Sequence, residues 1–109
     1  MTKKLEISHV DLMLQQSELL GWNICSENQQ KGRDAIRKKM QFPNFSICFS
    51  VMCRIAILAE KMNHHPEWFN VYNQLDIVLS THDVGGISQL DLDMAKEINT
   101  YLQDVTPKV

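Results

Sequence analysis

Trp68-Phe69-Asn70-Val71-Tyr72-Asn73-Gln74-Leu75-Asp76-Ile77-Val78-Leu79-Ser80 is the stretch from which the architecture is read. It holds two runs rich in aromatic and β-branched residues, Trp68 to Tyr72 and Leu75 to Ser80. Such runs about a polar pair predict an antiparallel hairpin. Trp68, Ile77 and Leu79 fall on one face; Phe69, Val71 and Val78 fall on the other. A hairpin centred between Asn73 and Gln74 pairs Trp68 with Leu79 and sets His65 opposite His82. The two imidazoles would then stand on the order of 5 Å apart at Cβ.

The flanking segments extend this pattern. Phe45 to Met62 is apolar along two adjoining stripes, at 45, 49, 52, 56, 59 and at 48, 51, 55, 58, 62. This predicts a long, largely covered helix, ended by Asn63 to Pro66. Arg33 to Phe42 alternates, with Ile36, Met40 and Phe42 on one face and Arg37, Lys39 and Gln41 on the other, as a half-buried strand does. Trp22 to Cys25 reads as a short strand before a polar turn from Glu27 to Gly32. Ser8 with Asp11 three residues on resembles a capping box, opening a helix to about Leu20 that Gly21 stops. Asp83-Val84-Gly85-Gly86 is a loop. Ser88, again with an acid three residues on (Asp91), caps a last helix. Its stripe is Leu90, Met94, Ile98 and Leu102, or a neighbouring set using Ala95 and Tyr101. The order helix, strand, strand, helix, strand, strand, helix predicts an α+β fold: a four-stranded antiparallel sheet with three helices packed on one face.

At 109 residues the chain is expected to be one domain, 1–109. The formal net charge of −2 and the short, scattered basic groups argue against direct nucleic-acid binding. Cys25, Cys48 and Cys53 form no CxxC pair and read as buried free thiols in a reducing compartment. The start Met-Thr-Lys-Lys-Leu-Glu lacks the apolar run of a secretory signal. The near-apolar run Ile47 to Leu58 is interrupted by Ser50 and Arg54 and is too short to cross a bilayer. A soluble cytoplasmic protein is expected, with passive nuclear entry permitted and no membrane partner. Apolar groups on both hairpin faces point to self-association.

Three of the four histidines, His64, His65 and His82, sit around this hairpin. Imidazole titrates near neutral pH, so a cluster of them suits general acid/base chemistry on a small molecule. Glu60 lies one helical turn before His64 and can reach an imidazole. Asn63, Ser80, Thr81 and Asp83 add donors and acceptors, and Trp68 and Phe69 add flat apolar walls, as for a planar heterocycle. Pro66 fits the start of an edge strand. Two other readings compete. His64, His65, His82 and Asp83 could ligate a metal, but adjacent histidines project apart and no helical i, i+4 pair is present. Histidines and Asn at a helix end also serve as caps. His9, which stands alone, is read as structural.

The string Glu60-Lys61-Met62-Asn63-His64-His65-Pro66-Glu67-Trp68-Phe69-Asn70-Val71-Tyr72-Asn73, followed by Leu79-Ser80-Thr81-His82-Asp83, resembles the pterin-4a-carbinolamine dehydratase family. Gly21-Trp22, Arg33-Asp34-Ala35-Ile36, Phe42 and Asp91 have weaker counterparts. The resemblance implies dehydration of 4a-hydroxytetrahydropterin to quinonoid dihydropterin, in tetrahydrobiopterin recycling. It implies no metal and no organic cofactor. It implies catalytic roles for His64, His65 and His82 and a substrate site completed by Glu60, Asn63, Ser80, Thr81 and Asp83. A homodimer or homotetramer is implied as well. Some animal members also act as dimerisation cofactors of a homeodomain transcription factor through a helix surface, whose residues differ here, as at Ile47, Cys48 and Ser50. Two positions depart from the pattern: Asn63 stands where Asp is frequent, and Leu90 where the animal proteins carry Arg.

Overall fold

The computed structural model describes residues 2–25 and 33–105. Helix α1 spans Ile7–Met13, strand β1 Asn23–Cys25, β2 Ala35–Gln41, α2 Phe45–Met62, β3 Glu67–Val71, β4 Gln74–Leu79 and α3 Gln89–Tyr101. Short 3-10 turns occupy Ser17–Leu19, His82–Val84 and Leu102–Asp104. The strands form one antiparallel sheet in the order β1-β2-β4-β3. The turn expected at Glu27 to Gly32 lies outside the described residues.

One face of the sheet carries the core. Ile36 and Met40 of β2 and Leu75, Ile77 and Leu79 of β4 pack in a single cluster. Val10 of α1, Cys48, Val51, Ile55 and Leu58 of α2, and Leu92, Met94, Ala95 and Ile98 of α3 close over them. Three helices on one face is therefore the observed arrangement. The opposite face is thinly covered: Cys25, Ala35 and Val78 form a small patch, while Phe69 and Val71 remain exposed.

The hairpin register differs from the expected one. Val71 pairs with Gln74 and Trp68 with Ile77, so the turn is Tyr72-Asn73 rather than Asn73-Gln74. Asn73 explains the shift. Its carbonyl accepts from Phe42 N–H at 2.8 Å, and its side-chain amide donates to Phe42 O at 2.7 Å. Asn73 is thus fastened to the end of β2 and cannot join β3. Asn70 spans the turn, donating to Gln74 O at 2.8 Å and Tyr72 O at 3.1 Å. Tyr72 takes a left-handed φ of 51°. The shift keeps every side chain on its expected face but ends the ladder at Glu67 and Val78, so His65 and His82 are not a cross-strand pair.

Three further expectations are corrected. Helix α1 stops at Met13, and its N-cap is Glu6 without a side-chain cap, because Ser8 already lies inside the first turn. Gly21 does end this region: its φ is 89°, and a Cβ there would sit 2.8 Å from Lys38 Cε. Helix α2 has the expected span, with Asn44 accepting from Ile47 N–H at 2.9 Å as its N-cap. It is covered along one stripe only: Phe45, Phe49 and Ile57 are exposed. Cys53, on that outer side, is exposed, whereas Cys25 and Cys48 are buried as expected.

Lys38 is an inward-facing residue of β2 whose charge the strand alternation did not anticipate. Its Nζ donates to Leu20 O at 2.9 Å and Asn99 Oδ1 at 2.8 Å. Asn99 also accepts from Trp22 Nε1 at 3.1 Å and donates to the carbonyls of Glu18 and Leu20. Two of the three ammonium N–H groups thereby have acceptors, which offsets part of the cost of burying the charge.

Candidate active site

The site begins where α2 ends. Asn63 takes the left-handed conformation (φ 50°, ψ 44°) at the C-cap. Its N–H donates to Glu60 O, and the His64 N–H reaches back to Ala59 O at 3.1 Å. This paired closure of a helix end is usually given to Gly, and Asn is the next best tolerated residue. The reversal turns His64 inward. Its Nε2 lies 2.6 Å from Asp91 Oδ1, with the His64 side chain 8% exposed and Asp91 wholly buried.

Asp91 is held from the other side by the start of α3. Ser88 N–H and the Thr81 hydroxyl donate to Asp91 Oδ2 at 2.9 and 2.8 Å. Ser88 Oγ accepts from Leu90 N–H and lies 2.6 Å from Thr81 Oγ1. Thr81 has one hydroxyl proton and gives it to Asp91, so the Ser88 hydroxyl must donate to Thr81. A carboxylate at Asp91 can only accept, so His64 Nε2 donates in its bond, and in the neutral ring Nδ1 carries the free lone pair. The capping box predicted at Ser88 and Asp91 is present. The same carboxylate that caps α3 orients the histidine.

His65 and His82 are more open. His65 Nε2 lies 2.6 Å from Glu60 Oε2, and both groups are largely exposed, so solvent screens the pair. Glu60 was expected one turn before His64 and instead meets His65, because the left-handed Asn63 swings His64 into the interior. His82 lies in the 3-10 turn after β4, with Nε2 3.0 Å from Arg33 Nη2 and 3.5 Å from Glu67 Oε2. Arg33 Nε also donates to Ser80 Oγ at 2.8 Å, and its Nη2 pairs with Glu67.

A carboxylate thus lies near each of the three histidines: Asp91 and Glu60 each 2.6 Å from His64 and His65, and Glu67, itself paired with Arg33, 3.5 Å from His82. Of the expected binding residues, Ser80 and Thr81 are buried and engaged behind the histidines, while Asn63 and Asp83 are exposed. Trp68 and Phe69 point to opposite faces of β3, so they are not two walls of one pocket. Arg33, Glu67, Ser88 and Asp91 were not singled out for chemistry. Arg33 carries no local signal, because its partners are 34 to 49 residues away. Among the described residues no group of three or more His, Cys, Asp or Glu side chains is placed to hold a metal ion. A cavity of about 410 Å³ lies away from the histidines on the outer sheet face, between Lys39, Phe69, Val71 and Asp76.

Residues 3–101 match the family model described as pterin 4 alpha carbinolamine dehydratase. The chain belongs to this family. A pterin-4-alpha-carbinolamine dehydratase of Drosophila melanogaster is 51% identical over 80 residues, 73% of this chain and 39% of the fly protein. The chain therefore spans about two fifths of that relative's length. A putative pterin-4-alpha-carbinolamine dehydratase of Burkholderia cenocepacia is 53% identical over 68 residues, 62% of this chain and 67% of that protein. The crystal structure of a transcriptional coactivator/pterin dehydratase from Brucella melitensis superposes with a TM-score of 0.79 at 39% identity. That likeness covers 89% of this chain and 96% of the Brucella chain. The family fold and the observed order of elements agree.

Proposed function

We propose that the chain is a 4a-hydroxytetrahydrobiopterin dehydratase, a hydro-lyase acting in tetrahydrobiopterin recycling by general acid/base catalysis with His64, His65 and His82. The observation that carries the reading is the buried His64–Asp91 pair, 2.6 Å apart. It fixes a ring nitrogen proton on one side and offers Nδ1 on the other. Hydroxide is a poor leaving group, so the 4a-oxygen must be protonated as the C4a–O bond breaks. The N5 proton must be removed as the C4a–N5 double bond forms. The products are water and quinonoid dihydropterin, and the balance needs one acid and one base. Neutral His64, backed by Asp91 as in an Asp–His pair, supplies the base at Nδ1. His65, paired with Glu60, supplies the proton. His82 completes the substrate site with Ser80 and Thr81 behind it and Asn63 and Asp83 at its edge. No metal or organic cofactor takes part in these steps.

The direct test adds the protein to an aromatic amino acid hydroxylase assay and follows loss of the 4a-carbinolamine. Acceleration over buffer, abolished by His64→Ala, is expected. No acceleration, or full activity after that substitution, would sink the reading.

The chain is also proposed to form a homodimer or homotetramer, since Phe45, Phe49 and Ile57 on α2 and Phe69 and Val71 on the sheet are exposed. Sedimentation as a monomer at micromolar concentration would refute this. Among the described residues no helix is long and apolar enough to cross a membrane. The free cysteines suit a reducing compartment, and we assign the cytoplasm, with nuclear entry permitted. The coactivator role in the description of the Brucella protein belongs to that protein. A like role here, through Ile47, Cys48 and Ser50, is disfavoured because Cys48 is wholly buried.

A further inference from the structure

We propose that Arg33 is a positioning residue that sets the tautomer of His82, holding Nε2 as an acceptor so that Nδ1–H faces the pterin. A guanidinium has only donors and keeps its protons at any working pH. Arg33 Nη2 lies 3.0 Å from His82 Nε2, so that nitrogen must accept, and the ring proton must sit on Nδ1. The Arg33 side chain is only 12% exposed and is fixed by three groups. Its Nε donates to Ser80 Oγ at 2.8 Å, and Ser80 is itself buried at the end of β4. Its Nη2 pairs with Glu67, the first residue of β3. The His82 side chain is two-thirds exposed, which leaves Nδ1 open to a ligand.

Glu67 makes the arrangement decisive. Its Oε2 lies 3.5 Å from the same His82 Nε2. A carboxylate in hydrogen-bond range of an imidazole nitrogen demands a proton there. Arg33 takes up Glu67 and presents a donor to His82 instead, so the carboxylate does not capture the ring. The guanidinium on Nε2 also makes Nδ1–H a stronger donor, through cooperative polarisation. His82 would offer that N–H to the departing 4a-oxygen, while His64 and His65 carry the proton exchange. A neutral imidazole used as a donor rather than an acid has precedent in enzymes that polarise a substrate oxygen.

The catalytic part rests on the dehydratase reading; the tautomer part does not, and nitrogen-15 NMR of the histidine-labelled chain reads it without turnover. In the wild-type protein the neutral His82 ring is expected to carry its proton on Nδ1. A proton on Nε2 overturns the proposal, and no variant is needed for that result. In Arg33→Gln, Glu67 becomes the neighbour of Nε2, and the proton is expected on Nε2, in the neutral ring or the imidazolium. An unchanged His82 spectrum in a folded variant overturns the proposal as well. Activity supplies the second readout: kcat of Arg33→Gln is expected to fall about tenfold with KM within about twofold, and Arg33→Lys to recover part of the loss. A rise in KM alone would make Arg33 a substrate contact instead.

Discussion

Asp91→Asn is the most informative single change, because it replaces one oxygen by an NH2 group and alters almost nothing else in shape. Asp91 accepts from Ser88 N–H and Thr81 OH at one oxygen and from His64 at the other. The amide keeps one carbonyl, which the two donors beneath it will claim. Its NH2 then faces His64 Nε2 at 2.6 Å, donor against donor. The ring escapes by moving its proton to Nδ1, which removes the base that the proposed elimination uses. Losing one hydrogen bond to a buried charge costs about 1.5–3 kcal/mol. For a domain near this size that lowers the melting temperature by roughly 6–20 °C. An amide in place of the carboxylate of an Asp–His pair, with the tautomer wrong, lowers kcat by about 10⁴ where the pair is the whole base, and about 10² is the floor expected here. Turnover is followed as loss of 4a-carbinolamine in a coupled hydroxylase assay, and stability by thermal and urea unfolding. A variant with wild-type kcat and wild-type melting would refute both the tautomer assignment and the role of Asp91.

Three other outcomes are expected. Burial pushes the Lys38 ammonium below the ordinary lysine range. The folded chain then binds fewer protons than the unfolded one between the two values, so the stability contributed by Lys38 rises with pH across that window. The difference in urea-derived stability between wild type and Lys38→Met should grow in favour of wild type from neutral pH to about pH 10, and a flat difference would refute it. Tyr72→Asn should stabilise by about 0.5–1 kcal/mol, since Asn tolerates the left-handed φ better and Tyr72 is exposed; urea midpoints decide it. Burial raises the Cys25 and Cys48 thiols above their usual range, so both should resist Ellman's reagent until the chain unfolds. Rapid native titration of all three thiols would contradict the packing.

Most of the architecture could be read from periodicity. The strand alternation at Ile36 and Met40, the Cys48, Val51, Ile55 and Leu58 stripe of α2 and the cap at Ser88 each belong to one element, and each was found; the second stripe of α2, at Phe45 and Phe49, is exposed. The register of the hairpin was not legible, because a contact from outside the hairpin set it. Phe42 takes the carbonyl and the side chain of Asn73. Alternation predicts which face a residue occupies but not which partner it meets, and a two-residue slip leaves every face intact. The same limit applies at the site. The histidines were visible because they cluster in sequence. Of their carboxylates only Glu60, close by on the same helix, was; Asp91 lies 27 residues from His64, and Glu67 approaches His82 only through the sheet. Lys38 was missed for a related reason: an inward charge contradicts the pattern, and only the distant Asn99 and Leu20 make it tolerable.

The bond from His64 to Asp91 joins the end of α2 to the first turn of α3. Any local opening that lifts the first turn of α3 also frees the imidazole, without unfolding the rest of the molecule. The working range of the site on warming is then set by a subglobal excursion, not by the global melt. Amide hydrogen exchange at Leu90 and Asp91 would measure that excursion directly, and its free energy sets the fraction of molecules in which His64 stays aimed.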